Sequence, residues 1–504
     1  LKKSSLANFI RLGIWICLLL FSIFSETTYS AKQGYSEGDW VSIGAAKVIT
    51  SIAMDNNNIY FATQQAGILR FDRFSERWED PLTTSDGFPS NRIKRIAFDI
   101  ANNELWLDTD SGVGIYEPTF QDFVRETQFP SQMELPNSTN FNPPNLFPEF
   151  GYTYFPGYII DPQGRKFYIT KIITDDRYRA WIGFAGLGAA VANTRNLDLK
   201  FLPFGPLSED QRVVISNDDY LFCGGYPDAD NRSGISRMDF SSNEWKHFEA
   251  PYEAGMDGSQ YNCATIDGDT AWFGSASGLI MYDTKRDRFK TFTVFNGLLS
   301  NYISAVKADG KNIWVGTDNG VNLIRFGGKK GDSLQTSSLP RDQSLVGNFI
   351  YDIEIDTVFV YIAANGGLFY RPENGDYWHT YSPSAIGGGG DITAILPTPK
   401  GLWLGRKGAI SYFNPVKEIR REYSPSGLGN AIINQIISIG DKIFAGTDNG
   451  LVGINPITGE SRLFTENDGL AYSQVYSLTV NGDYLWMATP KGLTKAYITA
   501  LRIY

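Results

Sequence analysis

A chain of 504 residues with 42% hydrophobic, 14% aromatic and 20% charged side chains has enough apolar surface for a large core and is not a disordered tail. Its 45 Lys and Arg against 55 Asp and Glu leave a net charge of −10, which repels phosphate backbones and argues against nucleic acid as a partner. Only two histidines, His247 and His379, are present. Imidazole-rich metal centres and His-dependent triads are therefore disfavoured, and no metal or cofactor is expected.

The first 30 residues read as a secretory leader. Lys2, Lys3 and Arg11 precede the apolar run from Leu12 to Phe24, and Thr28-Tyr29-Ser30 places small residues where a signal peptidase cuts. The run is 13 residues long, short of the roughly 18 that a membrane span needs, and no later segment approaches that length. Residues 31–504 are expected to form the mature protein, periplasmic or secreted, with no transmembrane span. Cys223 and Cys263 either pair in that oxidising compartment or pack as ordinary strand residues.

The mature region repeats. Its unit is an aliphatic residue, an aromatic, a variable residue and then Gly or Ala, commonly with Thr next and a further Gly six positions beyond the aromatic. Ile313-Trp314-Val315-Gly316-Thr317 with Gly320 and Ile443-Phe444-Ala445-Gly446-Thr447 with Gly450 are the clearest copies. The marker aromatics are Tyr60, Trp106, Trp181, Phe222, Trp272, Trp314, Tyr361, Trp403, Phe444 and Trp486, and five of their nine intervals are 41 or 42 residues. That period belongs to propeller blades of four strands. An aromatic at a fixed position in every unit is read as a blade-packing residue, and the Gly after it as a tight turn or a close backbone approach.

Around Trp314, period-2 alternation and turn residues predict strands over Ile303 to Ala308, Ile313 to Thr317 and Val321 to Phe326, with a fourth clearest elsewhere as Arg288 to Val294. The last unit lacks a fourth strand, whereas Gly38-Asp39-Trp40-Val41-Ser42-Ile43 stands ahead of the first and resembles fourth strands such as Glu244-Trp245-Lys246. The N-terminal strand is thus expected to complete the last blade and hide its edge. The fold class is all-β: a propeller of about ten four-stranded blades closed in one ring, with two smaller propellers as the alternative.

An added stretch at about 119–165 interrupts the rhythm. It is rich in Pro, Asn and aromatic residues, and inserted loops commonly carry the working surface. Phe150, Tyr152, Tyr154, Phe155 and Tyr158 are the candidate ligand-binding residues, since aromatic faces suit sugar rings and apolar partners. The alternative is that these rings cap a blade edge. Asp228 to Gly234 matches part of a calcium loop, but Arg232 stands where an oxygen ligand is needed, so a hairpin turn is expected. His247 and His379 each lie on an outer strand beside a Trp and read as solvated.

Asp86-Gly87-Phe88-Pro89-Ser90-Asn91, Asn296-Gly297-Leu298-Leu299-Ser300-Asn301 and Asp468-Gly469-Leu470, each ahead of a first strand and combined with the Trp-x-Gly-Thr-x-x-Gly core, resemble the two-component regulator propeller repeat. This resemblance covers nearly all of residues 38 to 504. It implies an exported ligand-sensing propeller like those of hybrid sensor kinases, which tend to carry about fourteen repeats as two seven-bladed rings, but without their kinase or membrane span. The function expected is non-catalytic binding of a ligand or partner, an oligosaccharide or an envelope protein. A carbohydrate-active enzyme, hydrolase or lyase, and a structural component of an envelope or secretion assembly are the alternatives, and no catalytic carboxylate pair stands out.

Overall fold

The computed structural model describes residues 35–503 apart from 37, 131–140, 142, 150, 311, 326–334, 339–344, 373–374, 376, 382–385, 387–389, 415–416 and 418. The leader expected at residues 1–30 and the candidate Phe150 lie outside the described residues. Among the described residues, the chain forms ten sheets, nine antiparallel ones of four strands and one of seven strands with a single parallel pair. They are numbered here as blades 1 to 10 in chain order. The first strands are Ile49–Met54, Ile93–Asp99, Lys166–Thr174, Gln211–Ser216, Tyr261–Asp267, Ile303–Asp309, Ile350–Ile355, Ile392–Thr398, Ile433–Ile439 and Ser477–Asn481.

The repeat motif is explained position by position. The Thr after the Gly closes the hairpin that follows: Thr317 Oγ1 donates to the Gly320 carbonyl at 2.8 Å and accepts from the Asn319 N–H at 3.1 Å. Thr447, with Gly450 and Asn449, repeats this. Asp86 and Asn296 cap one-turn 3₁₀ segments that end on Gly87 and Gly297, at φ 91° and 100°, where a side chain would be strained. Phe88, Leu298 and Leu470 then plug the core. Asn91 and Asn301 accept from Thr84 N and Val294 N, bracing the same turn.

The recurring Gly answers to a neighbouring blade. Eight first strands carry a bulge directly after their leading residue, which aims that residue at the preceding blade, and Lys166–Thr174 carries its bulge after Ile169. A methyl group added at Gly316 would lie 2.6 Å from Ile350 Cγ2, and Gly405 stands in the same relation to Ile433, at 2.6 Å. Nine of the ten marker aromatics are buried on the same face. Trp181 meets Phe71 and Trp314 meets Trp378 on the following blade, with centroids 5.5 and 6.2 Å apart. Trp106 is the half-buried exception.

These seats show which blades are neighbours, and they do not make a ring of ten. Blades 4 to 10 follow one another, and blade 10 then packs on blade 4. The Ser477 hydroxyl donates to the Val214 carbonyl and accepts from its N–H, and Asn481 Nδ2 donates to Asn217 O at 3.0 Å. This closes a seven-bladed ring. Blades 1 to 3 form a separate arc in the order 3, 1, 2: Ile49 of blade 1 fills the seat at Gly183 of blade 3, and Thr50 Oγ1 donates to Ile93 O of blade 2 at 2.7 Å. The expected clasp is present, with Trp40–Ile43 pairing Leu493 to Ala496 in blade 10. After it the chain leaves the ring, and Lys47 O accepts from Gly186 and Gly188 in blade 3. The single ring expected from the clasp is thus corrected to seven blades plus three, because the N-terminal strand and the first blade belong to different bodies.

Both ends of the arc are finished by the chain itself. In blade 2 the Gly position is Asp108, and Arg95 Nε binds its carboxylate at 2.9 Å in place of a neighbour's aliphatic side chain. The exposed face of blade 3 is covered by the added stretch.

Arc and ring meet through an aromatic row and a charged cluster. Trp78, Phe204 and Trp245 lie 5.1 and 6.2 Å apart in sequence. Arg232 binds Glu249 at 3.1 Å and the Gly186 carbonyl at 2.9 Å, Arg165 bridges Glu249 and Asp161, and Lys47 pairs with Asp228. Burial opposes the charge of Glu249, but hydrogen bonds from Arg165 and the charge of Arg232 hold its carboxyl below the usual range. Asp228 Oδ1 accepts from the N–H of Asp230 and Arg232, so this segment is a hairpin turn. Cys223 and Cys263 are free.

His247 corrects the solvated reading: it is half-buried beside this cluster, its Nδ1 3.0 Å from the Ser236 hydroxyl, which accepts from Leu207 N. Burial, then the charges of Arg232 and Lys47, push its pKa down to about 3. His379 is exposed and stacks on Tyr370.

Three measurements check this account. Replacing Trp314 with Ala should cost about 3 to 5 kcal/mol in denaturant unfolding. Gly316→Ala should cost about 1 to 3 kcal/mol, and Ile350→Ala, which removes the clashing Cγ2, should show favourable coupling to it in a double-mutant cycle. Since His247 is neutral when folded and takes up a proton below about 6.5 when unfolded, stability should fall as pH drops from 7.5 to 5, by about 1 to 2 kcal/mol more than in His247→Gln.

Candidate recognition site

The added stretch divides into a buried and an exposed part. After Phe147–Pro148, which pairs in parallel with Asp198–Leu202, the hairpin of Thr153–Phe155 and Tyr158–Ile160 adds two strands to the inner edge of blade 3. Alternation along the hairpin sends neighbouring residues to opposite faces. Leu146 and Ile159 are buried against Phe167, Ile182 and Phe184. Tyr152 packs on Phe201, with ring centroids 4.6 Å apart, and Tyr154 Oη donates to Pro143 O at 3.0 Å. Burial raises the pKa of both phenols.

Phe155 and Tyr158 are elsewhere. Their rings stack at 5.1 Å and 12°, and Tyr168 continues the row 5.9 Å from Tyr158. Phe155 is 38% exposed and Tyr168 is 59% exposed. Lys166 Nζ lies 5.2 Å from the centre of the Tyr158 ring. Among the described residues, Thr153–Phe155 is the last strand of its sheet, and its outer edge pairs with no further strand. Of the candidate residues, the structure therefore brings Phe155 and Tyr158 together on the surface and turns Tyr152 and Tyr154 into packing. Tyr168 was missed because it lies on a regular strand outside the added stretch.

A second constellation lies where the first strands of the seven-bladed ring begin. The bulged residues tie blades together: Asn262 Nδ2 donates to Ile303 O, Thr393 Oγ1 to Ile433 O and Asn434 Nδ2 to Val475 O. At the same position in blades 4 and 10 stand Arg212 and Tyr476. The Arg212 guanidinium lies between Tyr226 and Tyr476, 4.4 and 4.0 Å from their ring centres, and binds Asp210 at 2.8 Å. Tyr226 Oη donates to Asn262 Oδ1 at 3.3 Å. The row continues with Tyr302, Phe349 and Tyr351, at centroid spacings of 6.2 and 5.0 Å. Arg212 and Tyr226 come from blade 4, Tyr302 from blade 6, Phe349 and Tyr351 from blade 7 and Tyr476 from blade 10, so no local motif exposes the group.

Asp352, on the same strand as Tyr351, is the carboxyl most displaced from its ordinary range: burial, then the charge of Glu354, push it well upward. Its oxygens accept from Ile353 N at 2.8 Å and from Ile395 N on blade 8 at 2.7 Å, which makes it an inter-blade tie. Glu354 is paired with Lys307 at 2.6 Å. Among the described residues, no group of three or more His, Cys, Asp or Glu side chains is placed to hold a metal ion, and no helix is long and apolar enough to cross a membrane.

No family model and no curated protein matches the chain. Solved structures similar to it include the extracellular domain of a putative hybrid two-component system from B. thetaiotaomicron, at 16% identity and a TM-score of 0.48, over 90% of this chain and 70% of that one. Another is PorZ, an essential bacterial surface component of the type-IX secretion system of Porphyromonas gingivalis, at 13% identity and a TM-score of 0.47, over 90% of this chain and 69% of that one.

Proposed function

We propose that this chain is an exported, non-catalytic binding propeller whose partner surface is the aromatic hairpin of blade 3. The observation that carries this reading is the division within one short segment: Tyr152 and Tyr154 are used in packing, while Phe155, Tyr158 and Tyr168 form an aromatic row on the outside beside an edge strand. Exposed aromatic rows next to an open edge suit an apolar protein surface, with main-chain pairing adding to the ring contacts. An envelope protein is the partner class this favours, and an oligosaccharide stacked on the rings is the second reading.

Alanine at Phe155 or Tyr168 should abolish binding of the purified mature protein to isolated envelope protein, or to an oligosaccharide array, with the melting midpoint unchanged. Alanine at Tyr152 or Tyr154 should instead lower stability by about 1 to 3 kcal/mol. A melting midpoint that falls in the Phe155 variant while binding persists after correction for unfolded protein would reduce the hairpin to packing.

A further inference from the structure

The three turns at residues 83–87, 293–297 and 465–469 share one build and differ at the tip. In each, the Thr hydroxyl accepts from the N–H two residues on, and the side chain of Asp86, Asn296 or Asp468 accepts from the Thr N–H. The tip is thus braced before anything meets it. Two of the three turns meet each other. Ser85, at the tip of the first, donates to the Gly469 carbonyl of the third at 3.1 Å and lies 2.9 Å from the Ser42 hydroxyl of the clasp strand, so this contact joins arc to ring. In the remaining turn the tip residue is Phe295, and it is 95% exposed. A phenyl ring held out in water on a braced turn gives the fold nothing.

An apolar shelf adjoins this tip. Val294 and Tyr302 are exposed, and Val346, 62% exposed, faces Leu299 across Gly320: a methyl group at Gly320 would stand 3.5 Å from Val346 Cα and 3.3 Å from Leu299 Cδ1. Phe349 follows, its ring 6.2 Å from that of Tyr302. The segments that build the patch carry no charge. Residues 291–306 and 345–351 contain no Lys, Arg, Asp or Glu, and Asn296 stands where the other two turns have Asp. The exposed Asp318 lies at the margin, next to the Asn319 carbonyl that accepts from Gly347 N.

We infer that two copies of this chain pair through the patch, the Phe295 tip of each resting on the Leu299, Tyr302 and Val346 shelf of the other. A projecting ring beside a flat apolar surface is complementary to itself under a two-fold rotation, and such a contact closes at two copies. The net charge of −10 sets two copies against each other, and an uncharged surface is where they approach with least repulsion. Contact between turns of this build already holds arc to ring within one copy. Among the described residues, 293–297 is the one of the three turns whose tip meets no counterpart in its own chain. The patch is small, with one large anchor, so pairing belongs to the micromolar range.

Sedimentation velocity of the mature protein over a dilution series from about 1 to 200 µM is the test. Monomer should pass to dimer as concentration rises, with no larger species. Phe295→Ser and Val346→Asp should each raise the dissociation constant tenfold or more with an unchanged melting midpoint, since both side chains stand in water in the single copy. Phe155→Ala and Tyr168→Ala should leave the dimer as it is, so that this contact and the hairpin stand or fall separately. Sedimentation as a monomer over the whole series, growth beyond the dimer, or a dimer indifferent to Phe295→Ser and Val346→Asp would each overturn the inference.

Discussion

The contact on which the rest of the structure depends is the seat formed where a leading aliphatic side chain of one blade rests on a glycine or alanine of the blade before it. At Gly316 the space left for Ile350 is so narrow that a single methyl group would intrude. Narrowness sets the spacing between sheets. That spacing in turn brings the bulged residues within hydrogen-bonding reach of the next strand and closes the marker aromatics away from water. Stability built this way is largely a sum over neighbours, as in other repeat proteins, with the contacts between arc and ring added to those between adjacent blades.

Much of this was legible in the sequence, because the seat uses one residue type at one position. The period, the four-stranded unit and the N-terminal clasp all follow from short motifs such as Ile313 to Thr317 and from the likeness of Trp40 to Trp245. Ring membership was harder to read. Gly183 and Gly316 look alike in sequence, yet one receives the blade that follows it in the chain and the other receives blade 1, far upstream. A local motif shows that a neighbour exists and does not show which one. Asp108 did hold the missing signal: a charged residue at the seat position marks a blade with no successor.

The candidate sites differ in legibility for the same reason. The hairpin lies in one continuous stretch whose composition departs from the repeat, so Phe155 and Tyr158 can be found by reading along the chain. Alternation within a strand, however, decided that Tyr154 and Phe155 face opposite ways, and only the partner strand shows which face is covered. The rim residues Arg212 and Tyr476 occupy positions that elsewhere hold structural ties. Their difference shows only when the blades are superposed around the ring axis.

The clasp bears on the order in which the molecule can be made. Trp40–Ile43 is made long before the strand it pairs with, Gly492–Tyr497. Until that strand follows, the early strand lacks its partner in blade 10, and the seven-bladed ring has an open side between blades 10 and 4. The three-bladed arc has no such dependence, since its contacts fall within the first 202 residues or so and can form while the remainder is still arriving. The small body can therefore settle first and hold the waiting strand at a fixed place beside it. The large ring would then shut in one late step, when its final residues reach a strand already in position.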